Sequence, residues 1–245
     1  MTTNDTGLVA IGIDGAQAGW VAALLREDGS TELRLFSHIS DVEAATAKST
    51  GVSPVAVDIP IGLPDAIEYR DCDIEARKRL GARAQSVFAV PARKYLAAGN
   101  DYGAVRSMVA QAKLSDPTAR SISAQAAALI PKIAEVDTWL REDRGRSDWL
   151  FECHPELAFL RLNGGKALDS KSRPAGAVSR LRLVRQAFPD AEERIEAFSQ
   201  SKTALADVLD AYAALSVACR WTSGQCETIG DGRLDGARLP MRMVI

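Results

Sequence analysis

The sequence predicts an α/β protein with a mixed sheet: the order β-β-β-α-β at its start, a large helical insertion, and a second half that returns to the sheet. Three observations predict it. Apolar runs of strand length recur in the first 65 residues, among them Leu8–Ile13, Trp20–Leu25 and Val55–Ile59. Residues 66–148 change to charged sequence of helical period. An apolar run then reappears at Trp149–Cys153, followed by the long helical pattern of Lys202–Arg220. The chain thus reads as the first half of a sheet core at 1–65, a helical insertion at 66–148, and the second half of the core at 149–245.

Residues 8–13 read as a strand, and Asp14–Gly19 as the turn after it, because the apolar run stops at an acid and a glycine. Trp20–Leu25 is a second strand. Glu27-Asp28-Gly29-Ser30 forms a hairpin turn, and Glu32–Phe36 alternates as a half-exposed third strand. Ser40 or Asp41 caps a helix running to about Lys48. Val55–Ile59 is continuously apolar, as suits a parallel strand buried on both faces, and Pro60 and Pro64 end it because proline cannot donate to a ladder. In the insertion, Ile67–Leu80 reads as a charged helix, Gly81–Pro91 as a loop, and Arg93–Ala98 as a short helix. Asp101–Ala112 and Ser121–Arg141 read as helices, with Arg144–Asp148 as a polar exit. Beyond the Trp149–Cys153 strand, Gly164–Pro174 is a loop. Ala177–Ala187 and Ala191–Phe198 are helices separated by Pro189, Lys202–Arg220 is the last long helix, and a short strand lies near Met241–Ile245.

Composition narrows the class. At 245 residues, with 47% hydrophobic and 25% charged residues, the chain can bury a sizeable core like an ordinary globular protein. A net charge of -2 argues against a protein that coats nucleic acid nonspecifically, while leaving room for a local basic groove. No apolar run approaches the ~20 residues that span a bilayer, so no membrane partner is expected. Met1–Thr6 has neither the basic region nor the apolar core of a signal peptide, and reads as a short disordered leader on a cytoplasmic protein. Cys72, Cys153, Cys219 and Cys226 show no CxxC pairing and read as free thiols. Two histidines, His38 and His154, exclude a His-rich metal site.

The chemistry lies in acids set within apolar segments. Ionised carboxylates are costly to desolvate, so acids there need a compensating partner, and a divalent cation supplies one. Asp14 follows Leu8–Ile13, where the bland reading is a turn-forming aspartate. Asp58 sits inside Val55–Pro60, where the bland reading is a hydrogen bond to a nearby amide. Asp207 and Asp210 are three apart and share a helix face; for Asp207 the alternative is an acid meeting the dipole of a helix N-terminus. Asp210 lies deeper, and small Ala211, Ala213 and Ala214 permit close packing on a sheet. Glu152, in Phe151-Glu152-Cys153-His154-Pro155-Glu156, is a fourth candidate acid, and His154 a candidate for orienting a phosphate or water. The cations Arg70, Arg77 and Arg93 of the insertion, with Lys132 and Lys171, are candidates for binding substrate phosphate; the bland reading is a salt-bridged solvated helix, since Asp73 and Arg77 stand at i,i+4.

Several of these segments together resemble a known family. They include Ile11-Gly12-Ile13-Asp14-Gly15 with Gly19-Trp20-Val21, Val57-Asp58-Ile59-Pro60-Ile61-Gly62-Leu63-Pro64, and Arg70 with Cys72-Asp73 and Ala76-Arg77. Further along come Ser86-Val87-Phe88 with Pro91 and Arg93, then Ser123 and Gln125, and Lys132-Ile133 with Glu135-Val136-Asp137. Glu152–Glu156, Ser170-Lys171 with Gly176, and Asp207–Ala211 complete the set. In that order, over nearly the whole chain, the sequence resembles the domain-of-unknown-function 429 family, regarded as RNase H-like nucleases. The resemblance implies an RNase H-like core, with Asp14 as the acid of the first strand, Asp58 that of the fourth, and Asp207 or Asp210 that of the final helix. Glu43 is the residue that could align with the acid of the first helix in that fold, a point at which the chain departs from the pattern.

The leading functional expectation is a metal-dependent nuclease or other phosphodiester hydrolase. Two Mg²⁺ or Mn²⁺ ions about 4 Å apart would activate water and stabilise the leaving oxygen. Asp14, Asp58 and Asp210 would be catalytic ligands, completed by Glu152 or Asp207, and the partner would be nucleic acid or a smaller phosphoester. A kinase of the actin and sugar-kinase type also begins with a strand and Asp-Gly, but needs a duplicated second domain that this sequence does not show. A non-catalytic module that binds nucleic acid or protein is the remaining alternative.

Overall fold

The computed structural model describes residues 7–47, 53–198 and 203–245. The leader expected at Met1–Thr6, and the helix ends expected at Lys48 and Lys202, lie outside those residues. In chain order the chain forms β1 (Leu8–Ala16), β2 (Gly19–Arg26), β3 (Thr31–Phe36), α1 (Asp41–Thr46) and β4 (Val55–Val57). There follow α2 (Asp71–Leu80), α3 (Tyr102–Ser115), α4 (Ala124–Ala128) and α5 (Ile130–Glu142), then β5 (Leu150–Glu152). The remainder is α6 (Pro155–Leu162), α7 (Pro174–Ala187), α8 (Ala191–Ala197), α9 (Leu205–Thr222), β6 (Thr228–Ile229) and β7 (Met243–Val244). Two compact units result. Unit 1 takes the chain up to Asp58, Trp149–Glu227 and Val244–Ile245; unit 2 takes Ile59–Asp148 and Thr228–Met243.

Unit 1 is built on a mixed five-stranded sheet of order β3-β2-β1-β4-β5. The first three strands are an antiparallel meander, and β1, β4 and β5 run parallel to one another. β1 is longer than the sequence predicts. It continues through Asp14 to Ala16, and the turn shrinks to Gln17-Ala18, closed by the Ala16–Gly19 pair. Gly19 makes this possible: it has φ 141°, and a Cβ there would lie 2.1 Å from the Phe36 carbonyl oxygen. Asp14 therefore stands within the ladder, opposite Val21, rather than in a turn.

One face of this sheet is lined by small residues. Ala10, Gly12, Asp14 and Ala16 alternate on β1, with Ala23 and Ala56 beside Gly12 on its neighbours. Helix α9 packs there, joined by α6 and α7, with Ala211, Ala213, Ala214 and Leu215 in the core. The approach is closest at Gly12, where an added Cβ would fall 1.9 Å from the Leu215 backbone nitrogen. Helix α6 has no counterpart among the elements read from sequence; Pro155 at its first turn has no N–H to leave unsatisfied, and His154 caps it.

Unit 2 has its own core, with Ile67, Tyr95, Val105, Val109, Ile122 and Ile130. Its first helix starts at Asp71, later than the predicted Ile67, because Glu68 pairs with Val90 in a β-bridge and Arg70 caps the helix through Asp73. The predicted loop Gly81–Pro91 contains a 3₁₀ turn at Gly81–Ser86. The predicted Ser121–Arg141 helix is two helices, α4 and α5, with Pro131 in the first turn of the second. No helix among the described residues is long and apolar enough to cross a membrane.

Candidate functional site

The carboxyl ends of β1, β4 and β5 converge in unit 1. The Asp58 amide donates to the Ile13 carbonyl at 3.0 Å, and the Cys153 amide donates to the Val57 carbonyl at 3.0 Å. These bonds extend the parallel ladder just far enough to set Asp14, Asp58 and Cys153 in a row. The chain leaves β1 toward β2 on one side, while β4 lies on the other side, so Asp14 and Asp58 flank a topological switch point. In open α/β sheets the crevice at such a point, outside the strand carboxyl ends, is where ligands bind.

Gly12 and Asp14 share a sheet face, so the close approach of α9 to Gly12 brings Asp210, next to Ala211, toward Asp14. Asp14 and Asp210 are buried, and Asp58 is half-buried. Burial raises the Asp14 carboxyl well above the ordinary range, and the charges of Asp58 and Asp210 raise it further. Burial also raises Asp58, against the opposing pull of His154 and Lys171. Asp210 is raised to about 6 by burial, with Asp58 and Glu156 adding to the shift and Lys171 opposing it. Three carboxylates thus share a space in which full ionisation is disfavoured. Lys171 partly offsets them: its Nζ donates to Asp210 Oδ2 at 2.5 Å.

Lys171 is positioned from below. Arg180 on α7 is buried and binds both Glu156 carboxylate oxygens at 2.8 Å, while its Nη1 donates to the Asp169 carbonyl at 2.8 Å. Gly176 lets the loop press onto α7, since a Cβ there would lie 2.1 Å from the Ser170 carbonyl oxygen. The loop around Lys171 is therefore tied to α6 and α7 through one buried ion pair. Neither Glu156 nor Arg180 stands among the sequence candidates. The only signal was that Glu156 follows Glu152 and His154 in one short segment; its pairing with a residue 24 positions away is tertiary.

The remaining candidates fall into place as follows. Asp207 accepts from the Ala204 amide at 3.2 Å, the capping role of an acid in a first helical turn, yet its charge still reaches Asp14. Glu152 pairs with Val57, so the pleat turns it to the sheet face opposite Asp14. His154 Nδ1 accepts from the Glu156 amide at 3.2 Å. Glu43 is half-buried on α1. Cys153 is buried, and burial with the charges of Asp58 and Glu152 pushes its thiol well above the ordinary value, which disfavours a thiolate nucleophile.

In unit 2 the three arginines have partners of their own. Arg70 is buried, forks onto Asp73 and donates to the Ile61 carbonyl at 2.7 Å. Arg77 Nη1 donates to the carbonyls of Ala84 and Val87 at 2.7 and 2.6 Å. Arg93 bridges Asp137 and Asp235, whose side chains are 3% and 0% exposed. Lys132 is half-buried on α5.

The donor set suits a hard cation: three carboxylates, oxygen ligands only, an excess of negative charge, and a mutual repulsion that a cation would relieve. As the side chains stand, no group of three or more acids, histidines or cysteines among the described residues is close enough to hold a metal ion. Comparison with known proteins gives one family. No curated protein and no solved structure matches the chain significantly. The family model described as "Protein of unknown function (DUF429)" matches residues 12–234, a span that contains Asp14, Asp58 and Asp210, and the chain belongs to that family.

Proposed function

We propose that the protein is a metal-dependent phosphodiester hydrolase with an RNase H-like core, acting on nucleic acid or a smaller phosphoester. The observation that carries the reading is the convergence of Asp14, Asp58 and Asp210, from two parallel strands and one helix, with the carboxyl of each raised. The sheet order β3-β2-β1-β4-β5 supports the fold part of the reading.

In this reading Asp14, Asp58 and Asp210 hold Mg²⁺ or Mn²⁺, with Asp207 near enough to add negative charge. The cation, when bound, would lower the pKa of a water and polarise the phosphoryl oxygens. Lys171 neutralises Asp210 in the ligand-free arrangement, and its half-exposed ammonium can turn to a substrate phosphate once Asp210 has another partner. His154, whose charge acts on Asp58, would help orient a phosphate or water there. Burial of Asp14 and Asp210 excludes bulk water, which strengthens each of these charge interactions.

The test is hydrolysis of a model phosphodiester, and of labelled single-stranded DNA and RNA, with Mg²⁺ or Mn²⁺. The parent should be active, EDTA should stop it, and Asp58→Asn should abolish it with folding intact. A second reading has its own support: Lys171 already pairs Asp210. There unit 1 would bind without hydrolysing, and the parent would be inactive with every substrate and metal.

A further inference from the structure

Unit 2 contains a cleft of about 370 Å³. Its walls include Tyr69, Arg77, Gln85, Phe88, Arg120 and Gln125, and the lining holds two cations and no carboxylate. The Arg77 guanidinium carbon stands 4.5 Å from the centre of the Tyr69 ring, and that of Arg120 stands 5.5 Å from it. Both distances are within cation–π range, so the two arginines are held beside each other by a phenol ring instead of by acids. Arg77 is fixed further by the Ala84 and Val87 carbonyls. Arg120 is exposed and has neither a hydrogen bond nor an ion pair among the described residues. Lys113 adds positive charge at the rim, donating to Ser121 at 2.7 Å.

We propose that this cleft binds a nucleotide, with the phosphate at Arg120 and the base against Tyr69 and Phe88. Each part of such a ligand has a matching group. A phosphate suits a guanidinium that has no carboxylate of its own. A flat base suits aromatic rings and an arginine plane, because stacking needs only a π face. The base edge suits Gln85 and Gln125, exposed amides that have no hydrogen bonds among the described residues. The volume lies within the range of small-ligand sites, roughly 300–1,000 Å³. Inorganic phosphate alone would leave the aromatic wall unused, and an apolar ligand would leave the arginines unpaired. The site needs no metal and stands independently of the carboxylates of unit 1.

The nucleotide could be free or part of a single strand, and the two are separable by experiment. Binding of fluorescein-labelled hexathymidylate is followed by anisotropy in EDTA at low salt, with thymidine monophosphate and inorganic phosphate as competitors. The full chain is compared with Arg120→Gln and with Arg106→Gln, which removes another exposed arginine stacked on a tyrosine, Tyr102, outside the cleft. The expected result is saturable binding that Arg120→Gln weakens about tenfold and Arg106→Gln leaves unchanged. Tighter binding of the hexamer than of the monophosphate assigns a strand; equal binding assigns a free nucleotide. No binding of either at millimolar concentration, equal loss in both variants, no loss in Arg120→Gln, or displacement by inorganic phosphate as effective as by the nucleotide would overturn the proposal.

Discussion

Asp210 is paired with Lys171, and that contact sets its chemistry. Its carboxylate is 3% exposed, while the Lys171 side chain that binds it is 48% exposed. A buried acid with a solvent-reaching partner is held ionised by a group that can also leave. Lys171→Met should therefore raise the Asp210 pKa above its value of about 6 and destabilise the protein at pH 8 by about 1–2 kcal/mol, a figure reduced from that of a fully buried pair because Lys171 is partly screened by solvent. At pH 5, where Asp210 is largely protonated, the loss should shrink. Urea melts of the two proteins at both pH values check this, and an equal loss at both would show that Lys171 contributes packing instead of charge. At this scale the three principal acids were legible in the sequence, because acids within apolar runs are conspicuous. Glu156 and Arg180 were not, because neither side chain signals its partner until α6 and α7 are packed. Asp207 shows the opposite limit: its spacing from Asp210 was plain, but its bond to the Ala204 amide depends on where α9 begins.

The elements matter through the places where they touch. Helix α9 reaches the sheet at Gly12, and that contact delivers Asp210 to Asp14. Gly12→Ala would drive a methyl group into the α9 backbone, 1.9 Å from the Leu215 nitrogen, where a helix cannot yield as a side chain can. The expected cost is roughly 3 kcal/mol, measurable by denaturant unfolding; a loss below about 0.5 kcal/mol would mean that α9 shifts easily and does not fix the site. The second contact is the Arg180–Glu156 pair between α7 and α6. Arg180→Met leaves the Glu156 charge buried without its fork and should cost about 3–5 kcal/mol. Hydrogen exchange should also rise around Asp169–Lys171, whose carbonyl anchor is lost. Exchange unchanged there would separate the ion pair from the loop. The long, strongly patterned elements were legible in the sequence, while α6 and the break between α4 and α5 were not. Both lie where a proline starts a helix, and a proline reads equally well as a loop.

For the molecule as a whole, the raised carboxyls give stability a pH dependence of fixed sign. A group whose folded pKa lies above its unfolded value stabilises most below the unfolded value, and that contribution is lost as pH rises through the folded value. Asp210 moves from 3.8 to about 6, and Asp14 and Asp58 move in the same direction. Without metal, Asp210 should lower stability as pH rises from about 4 through 6, and Asp14 and Asp58 should add to the decline in the same direction. Asp190 and Asp235 are shifted down, by backbone and side-chain hydrogen bonds that outweigh their burial, so their contribution is lost only at more acid pH and does not mask the window. Denaturant melts in EDTA across pH 4–8 should show the decline in the parent and a shallower one in Asp14→Asn. The proposed function rests on Asp14, Asp58 and Asp210 holding a cation in unit 1. Its most direct test is a calorimetric titration of Mn²⁺ into the metal-free parent, Asp14→Asn and Asp58→Asn at neutral pH. Saturable binding with proton release is expected in the parent, because the cation displaces the proton of a raised carboxyl into solvent, and no saturable binding is expected in either variant. Identical titrations in all three proteins, or none in the parent, would rule the cation site out.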